Sequence, residues 1–87
     1  MTSRTLKVLS TAGLHARPAG LFIETANRFR SAIRVTKGDR EVDGKSVLGL
    51  MLLEITADSE LTITAEGEDE EQALEALSAL ITGRFGE

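Results

Sequence analysis

The chain has no cysteine, no tryptophan and no tyrosine, one proline and one histidine among its 87 residues. The missing thiols exclude a disulfide framework, a thiolate metal site and a catalytic cysteine together. The missing rings leave Phe22, Phe29 and Phe85 as the only aromatics, so the core is expected from Leu, Ile, Val and Ala. No apolar run approaches the ~18 residues of a membrane helix, and the first ten residues carry no export signal, so a cytoplasmic protein is expected. Basic charge is also short. Ten Lys and Arg stand against fourteen Asp and Glu, a net charge of −4. An acidic chain this poor in rings lacks the footprint of a nucleic-acid binder.

What is present fits one domain spanning residues 1–87. Arg4 to Ser10 alternates Leu6 and Val8 against Thr5 and Lys7, a half-buried strand. After Pro18 the period changes, and Ala19, Phe22, Ile23, Ala26 and Phe29 share one helical face. Strands over Ala32–Thr36 and Glu41–Asp43 bracket a turn at Lys37-Gly38-Asp39-Arg40. Ser46 reads as the N-cap of a short apolar helix, Val47 to Leu53. Glu60 to Glu66 alternates Leu61, Ile63 and Ala65 inward, again a strand. Gly67 to Phe85 reads as a helix with Asp69 as its cap and Gln72 as the reciprocal partner. Its buried stripe is Ala73, Leu74, Leu77, Leu80 and Ile81, and Gly83 is its stop. The acids at 66–71 suit that helix start, where the dipole is positive, better than a metal site. One apolar stripe per helix and one apolar face per strand imply two layers: an antiparallel sheet covered on one side.

The single histidine, His15, stands where the first strand gives way to the first helix. A helix start offers open N–H groups and a positive dipole end, which suit a phosphate. Pro18 stiffens that turn without consuming a donor. Arg17 brings a guanidinium that holds phosphate oxygens in a fork, and the amide of Ala16 adds a donor. Imidazole, with an ordinary pKa near ~6.5, is largely neutral and nucleophilic at cell pH. A nearby cation and dipole are expected to lower it further. No second base, Walker loop, metal set or Ser/His/Asp triad accompanies it. The site is equipped to accept a group, with no cofactor and no metal, and is not that of an enzyme.

Gly13-Leu14-His15-Ala16-Arg17-Pro18-Ala19 resembles the active-site signature of the HPr family of phosphocarriers. Val42 to Met51, around Ser46, resembles that family's second signature, and Ile63 to Glu70 its last strand and entry to its last helix. The similarity runs along nearly the whole chain. It implies an α+β fold, an open-faced β-sandwich of four antiparallel strands with three helices on one face. It implies phosphoryl transfer from a phosphoenolpyruvate-dependent enzyme I to Nδ1 of His15, then to a histidine on a IIA protein or domain. It implies that Arg17 steadies the phosphoryl group and that Ser46 is the site of an ATP-dependent kinase and its opposing phosphorylase. Ala12, Glu54 and Asp58 depart from the family's usual residues, Asn or Ser at the first and small residues or Gly at the others. The 83–87 tail with Leu52-Leu53-Glu54 resembles the nitrogen-related branch, whereas Lys45-Ser46-Val47 resembles members under serine-kinase control.

The helix after Ser46 has more apolar side chains than one buried stripe needs. Leu50 and Leu53 suit the core, while Val47, Leu48 and Met51 form a candidate patch for brief docking by several partners. A monomer is expected. The alternative from another class is an HPr-like regulatory module that acts through phosphorylation-dependent binding. Such relatives replace the histidine, which is present here.

Overall fold

The structure, a computed structural model, describes residues 1–8, 16–56 and 59–83, with residues 16–18 by backbone only. Four strands and three helices alternate as β1 (Thr2–Lys7), α1 (Ala16–Ala26), β2 (Ala32–Lys37), β3 (Arg40–Asp43), α2 (Val47–Leu52), β4 (Glu60–Glu66) and α3 (Glu70–Thr82). The sheet is antiparallel in the order β1-β4-β2-β3. β4 is the natural centre because its alternation is cleanest: Leu61, Ile63 and Ala65 are buried on one face. They sit opposite Leu6 in β1 and opposite Val35 and Ile33 in β2. Facing pairs share a side of the sheet, so the apolar face is continuous across three strands. On the other face the hydroxyls of Thr5 and Thr62 meet at 2.9 Å.

Between β2 and β3 the chain reverses through Gly38 and Asp39, with Lys37 opposite Arg40. Gly38 has φ +63, a left-handed conformation that a residue without Cβ adopts at little cost. The helices lie on the apolar face. α3 packs along β1 and β4, and α1 rests against both α2 and α3. Phe22 of α1, Leu50 of α2, and Leu77 and Ile81 of α3 are fully buried among the sheet residues. At ~0.8 kcal/mol per buried methylene, this aliphatic core stabilises a small chain without covalent staples.

The expected fold class is the observed one, and several boundaries move. The first strand starts at Thr2 and ends at Lys7, while Val8 follows it into the core and donates its N–H to Ser59 O. α1 ends at Ala26, so Phe29, placed on its face by periodicity, packs half-buried from the following turn. α3 starts at Glu70 rather than Gly67, and Gly83 caps its end, as expected. Its buried set includes Ser78, and Leu80 is only half-buried.

The largest departure is the cap of α3. Asp69 occupies the N-cap position but makes no side-chain bond to its own helix. Its carboxylate instead accepts from the N–H groups of Arg30 and Ser31, at 2.8 and 2.9 Å, and from the Ser31 hydroxyl. Ser31 is buried, and its donors would otherwise be orphaned. Gly67 lies so close to Ser31 that a Cβ there would come within 2.8 Å of its Cα. Glu70, rather than Gln72, turns back on the helix start: its Oε1 accepts from Gly67 N at 3.2 Å.

Candidate functional site

α1 begins at Ala16, the residue after His15 in the sequence, so Arg17 and Pro18 stand in its first turn. His15, Gly13 and Leu14 lie outside the described residues, and so do Ala12 and Asp58. The described backbone adds an electrostatic fact: no Asp or Glu stands in the first turn of α1. None of the residues there competes with an arriving anion for the helix's open N–H groups. The first turn of α3 carries Glu70 and Glu71.

α2 rests against α1, so the helix that follows Ser46 and the helix that follows His15 in sequence belong to one layer. Ser46 is an N-cap in fact. Its backbone is extended (φ −109, ψ 117), and its hydroxyl accepts from Gly49 N at 3.1 Å. Of the six residues of α2, only Leu50 is buried. Leu53, just beyond, is also buried. Val47, Leu48, Met51 and Leu52 are 52%, 69%, 42% and 60% exposed. Four adjacent large apolar side chains left in water on one short helix are a patch, unlike an isolated surface leucine. Leu52 was not among the patch residues expected from the sequence.

The other end of α2 was also not legible. Lys37 Nζ donates to the carbonyls of Leu53 and Glu54, at 3.2 and 2.8 Å, and Arg40 Nη1 donates to Leu52 O at 3.1 Å. These are the carbonyls that a helix end leaves unpaired, and cations there also meet the negative end of the dipole. Glu54 reverses the chain with φ +52. The only sequence signal was two basic residues flanking a Gly-Asp turn, ahead of a helix whose end carries a Glu where Gly would suit.

Among the described residues two carboxyl groups are shifted, and neither stands in the first turn of α1. The Ser31 hydroxyl and the Arg30 amide hold Asp69 below the ordinary aspartate range. The Gly67 amide, followed by the chain's amino group at 3.0 Å, does the same for Glu70.

Comparison with known proteins identifies this arrangement. Residues 2–83 match the family model described as the PTS HPr component phosphorylation site. The chain belongs to the HPr family, the phosphocarriers of the phosphotransferase system. The phosphocarrier protein HPr of Neisseria meningitidis is 40% identical over 87 residues, all of this chain and 98% of that protein. The HPr-like protein Crh of Bacillus subtilis is 43% identical over 81 residues, 93% of this chain and 95% of Crh. A crystal structure of HPr from Thermoanaerobacter tengcongensis superposes with a TM-score of 0.98 at 44% identity, covering 100% of this chain and 98% of that one. The α+β open-faced sandwich is therefore the HPr fold. Among the described residues no helix is long and apolar enough to cross a membrane.

Proposed function

We propose that this chain carries a phosphoryl group on His15 in the cytoplasm, as a substrate of other enzymes and not as a catalyst. Nδ1 of a neutral His15 attacks the phosphorus of phosphorylated enzyme I; the new N–P bond forms as the donor's bond to phosphorus breaks. The group then passes in the same way to a histidine of a IIA protein or domain. Arg17 and the Ala16 amide hold the phosphoryl oxygens through the exchange. Val47, Leu48 and Met51, with Leu52 beside them, dock the partners. Ser46 is a second, regulatory phosphorylation site. The protein needs no cofactor or metal and acts as a monomer.

The observation that carries this reading is the Gly13–Ala19 sequence motif, whose last four residues open a helix with no acid in its first turn, within a chain that matches the HPr model over residues 2–83. Incubation with enzyme I and phosphoenolpyruvate should add one phosphate, lost in acid and retained in base. His15→Ala should abolish that mass shift and keep the melting temperature. Phosphorylation of His15→Ala by enzyme I would end the proposal.

The resemblance to Crh supports a second reading, a regulatory module. It predicts modification at Ser46 by an ATP-dependent kinase with no uptake from enzyme I.

A further inference from the structure

The six residues of α2 cannot hold their own orientation. A helix that short is far below the length at which helices persist in water, and it buries one side chain, Leu50, while presenting four apolar ones to solvent. Its start is fixed by Ser46. Its end carries Glu54 in a left-handed conformation that a residue with a Cβ adopts at a cost. What meets that end is the β2–β3 hairpin: Lys37 bridges the carbonyls of Leu53 and Glu54, and Arg40 takes that of Leu52. Three successive carbonyls thus receive cationic donors from residues 12 to 17 positions away in sequence. Such charge-assisted bonds are stronger than neutral ones, and Lys37 is itself half-buried.

We infer that Lys37 and Arg40 are positioning residues for docking: they clamp the C-terminal end of α2 so that Leu48, Met51 and Leu52 face the partner in one fixed orientation. This rests on the proposed use of the α2 patch. The clamp reaches the patch through the backbone. The N–H of Leu53 donates to Leu50 O and that of Glu54 to Met51 O, at 3.2 Å each, so the carbonyls that the cations hold belong to the turn ending the exposed face. A docking face fixed in advance leaves less ordering to be done on binding. Lys37 and Arg40 therefore act on recognition and leave the chemistry at His15 alone.

The test uses the whole chain as substrate of enzyme I. Lys37→Met and Arg40→Met, singly and together, keep the aliphatic stems and remove the donors. The double variant should raise KM about three- to tenfold, as if one or two ordinary hydrogen bonds of orientation were lost, with kcat unchanged. Amide exchange at Leu53 and Glu54 should quicken in parallel. Lys37→Arg and Arg40→Lys should restore both. Faster exchange with an unchanged KM would show a clamp with no part in docking. A raised KM with unchanged exchange would mean that the cations meet the partner directly. Either result overturns the inference. Leu48→Ser separates this from the underlying reading: if Leu48→Ser leaves KM unchanged the patch itself is wrong, whereas if it alone raises KM only the clamp is wrong.

Discussion

α2 and the corner that opens α3 are held in opposite ways. At the α3 corner the chain spends its own charge inward. Asp69 serves the backbone of residues 30–31, Glu70 serves Gly67 and the amino group, and the helix behind them buries Ala73, Leu74, Leu77, Ser78 and Ile81. α2 is held at its two ends, by Ser46 and by the hairpin cations, and offers its middle to water. A helix secured by its flank keeps its apolar stripe in the core and leaves to water an outer face that carries Glu71, Gln72 and Glu75. One secured by its tips has most of its surface free. The difference explains why a chain with only three aromatic side chains leaves Val47, Leu48, Met51 and Leu52 outside the core.

The comparison breaks most severely at Asp69. Asp69→Ala strips the acceptor from two backbone amides and a buried hydroxyl, so the melting temperature should fall on the order of 10 °C. Transfer from enzyme I measured well below that temperature should be unchanged. The same bonds set a pH dependence. Because folding lowers the pKa of Asp69, the folded state binds the proton less readily than the unfolded chain does. The stabilisation is fully present above the ordinary aspartate value, about 4, and is lost as pH falls through that value toward the lower folded one. Melts of the parent from pH 7 downward should show this loss, and Asp69→Asn should show less of it. Equal acid sensitivity in the two proteins would place the acid-sensitive group elsewhere.

Ser46 probes the tip of α2. Ser46→Ala removes the acceptor from Gly49 N and should cost about 1 kcal/mol, with transfer kept. Ser46→Asp keeps an acceptor at a helix start and adds a charge that the dipole favours, so its melting temperature should stay within a few degrees. The charge also lies beside the apolar patch, where it opposes docking, and uptake of phosphate from enzyme I should weaken. Transfer as fast as the parent's would reduce Ser46 to a cap.

These two corners also mark what the residues could tell in advance. Ser46 was legible because a cap acts on its own helix, three residues away. The strands were legible because alternation at Leu61, Ile63 and Ala65 repeats every second residue. Asp69 misled because its spacing to Gln72 imitates a local cap, while its real partners are 38 and 39 residues upstream. Lys37 and Arg40 read as turn residues for the same reason: their acceptors are carbonyls, which every residue has. Ser78 could not be told from Leu80, because a period of 3.6 places both at the edges of one stripe, and only the packed sheet decides which turns in. The motif around His15 was the clearest signal in the sequence because it is contiguous, and His15 itself lies outside the described residues.

Glu54 gives the smallest effect and sharpens the contrast furthest. Its φ of +52 is the only positive one among non-glycine residues in the described structure. A left-handed residue with a Cβ costs roughly 1–2 kcal/mol, and glycine returns roughly 0.5–1 of that as lost freedom on folding. Glu54→Gly should therefore stabilise by up to about 1 kcal/mol, a rise of a few degrees in a domain of this size. The Lys37 contact is to the backbone carbonyl and survives the change. If the end of α2 is fixed by the clamp, the gain in melting temperature should come with unchanged exchange at Leu53 and an unchanged KM for enzyme I. If the glutamate side chain itself braces the turn, Glu54→Gly should melt lower than the parent. A thermal melt of Glu54→Gly in the Lys37→Met background completes the cycle. With Lys37 removed, glycine's wider freedom has nothing to restrain it, and the stabilisation seen in the parent should shrink or change sign.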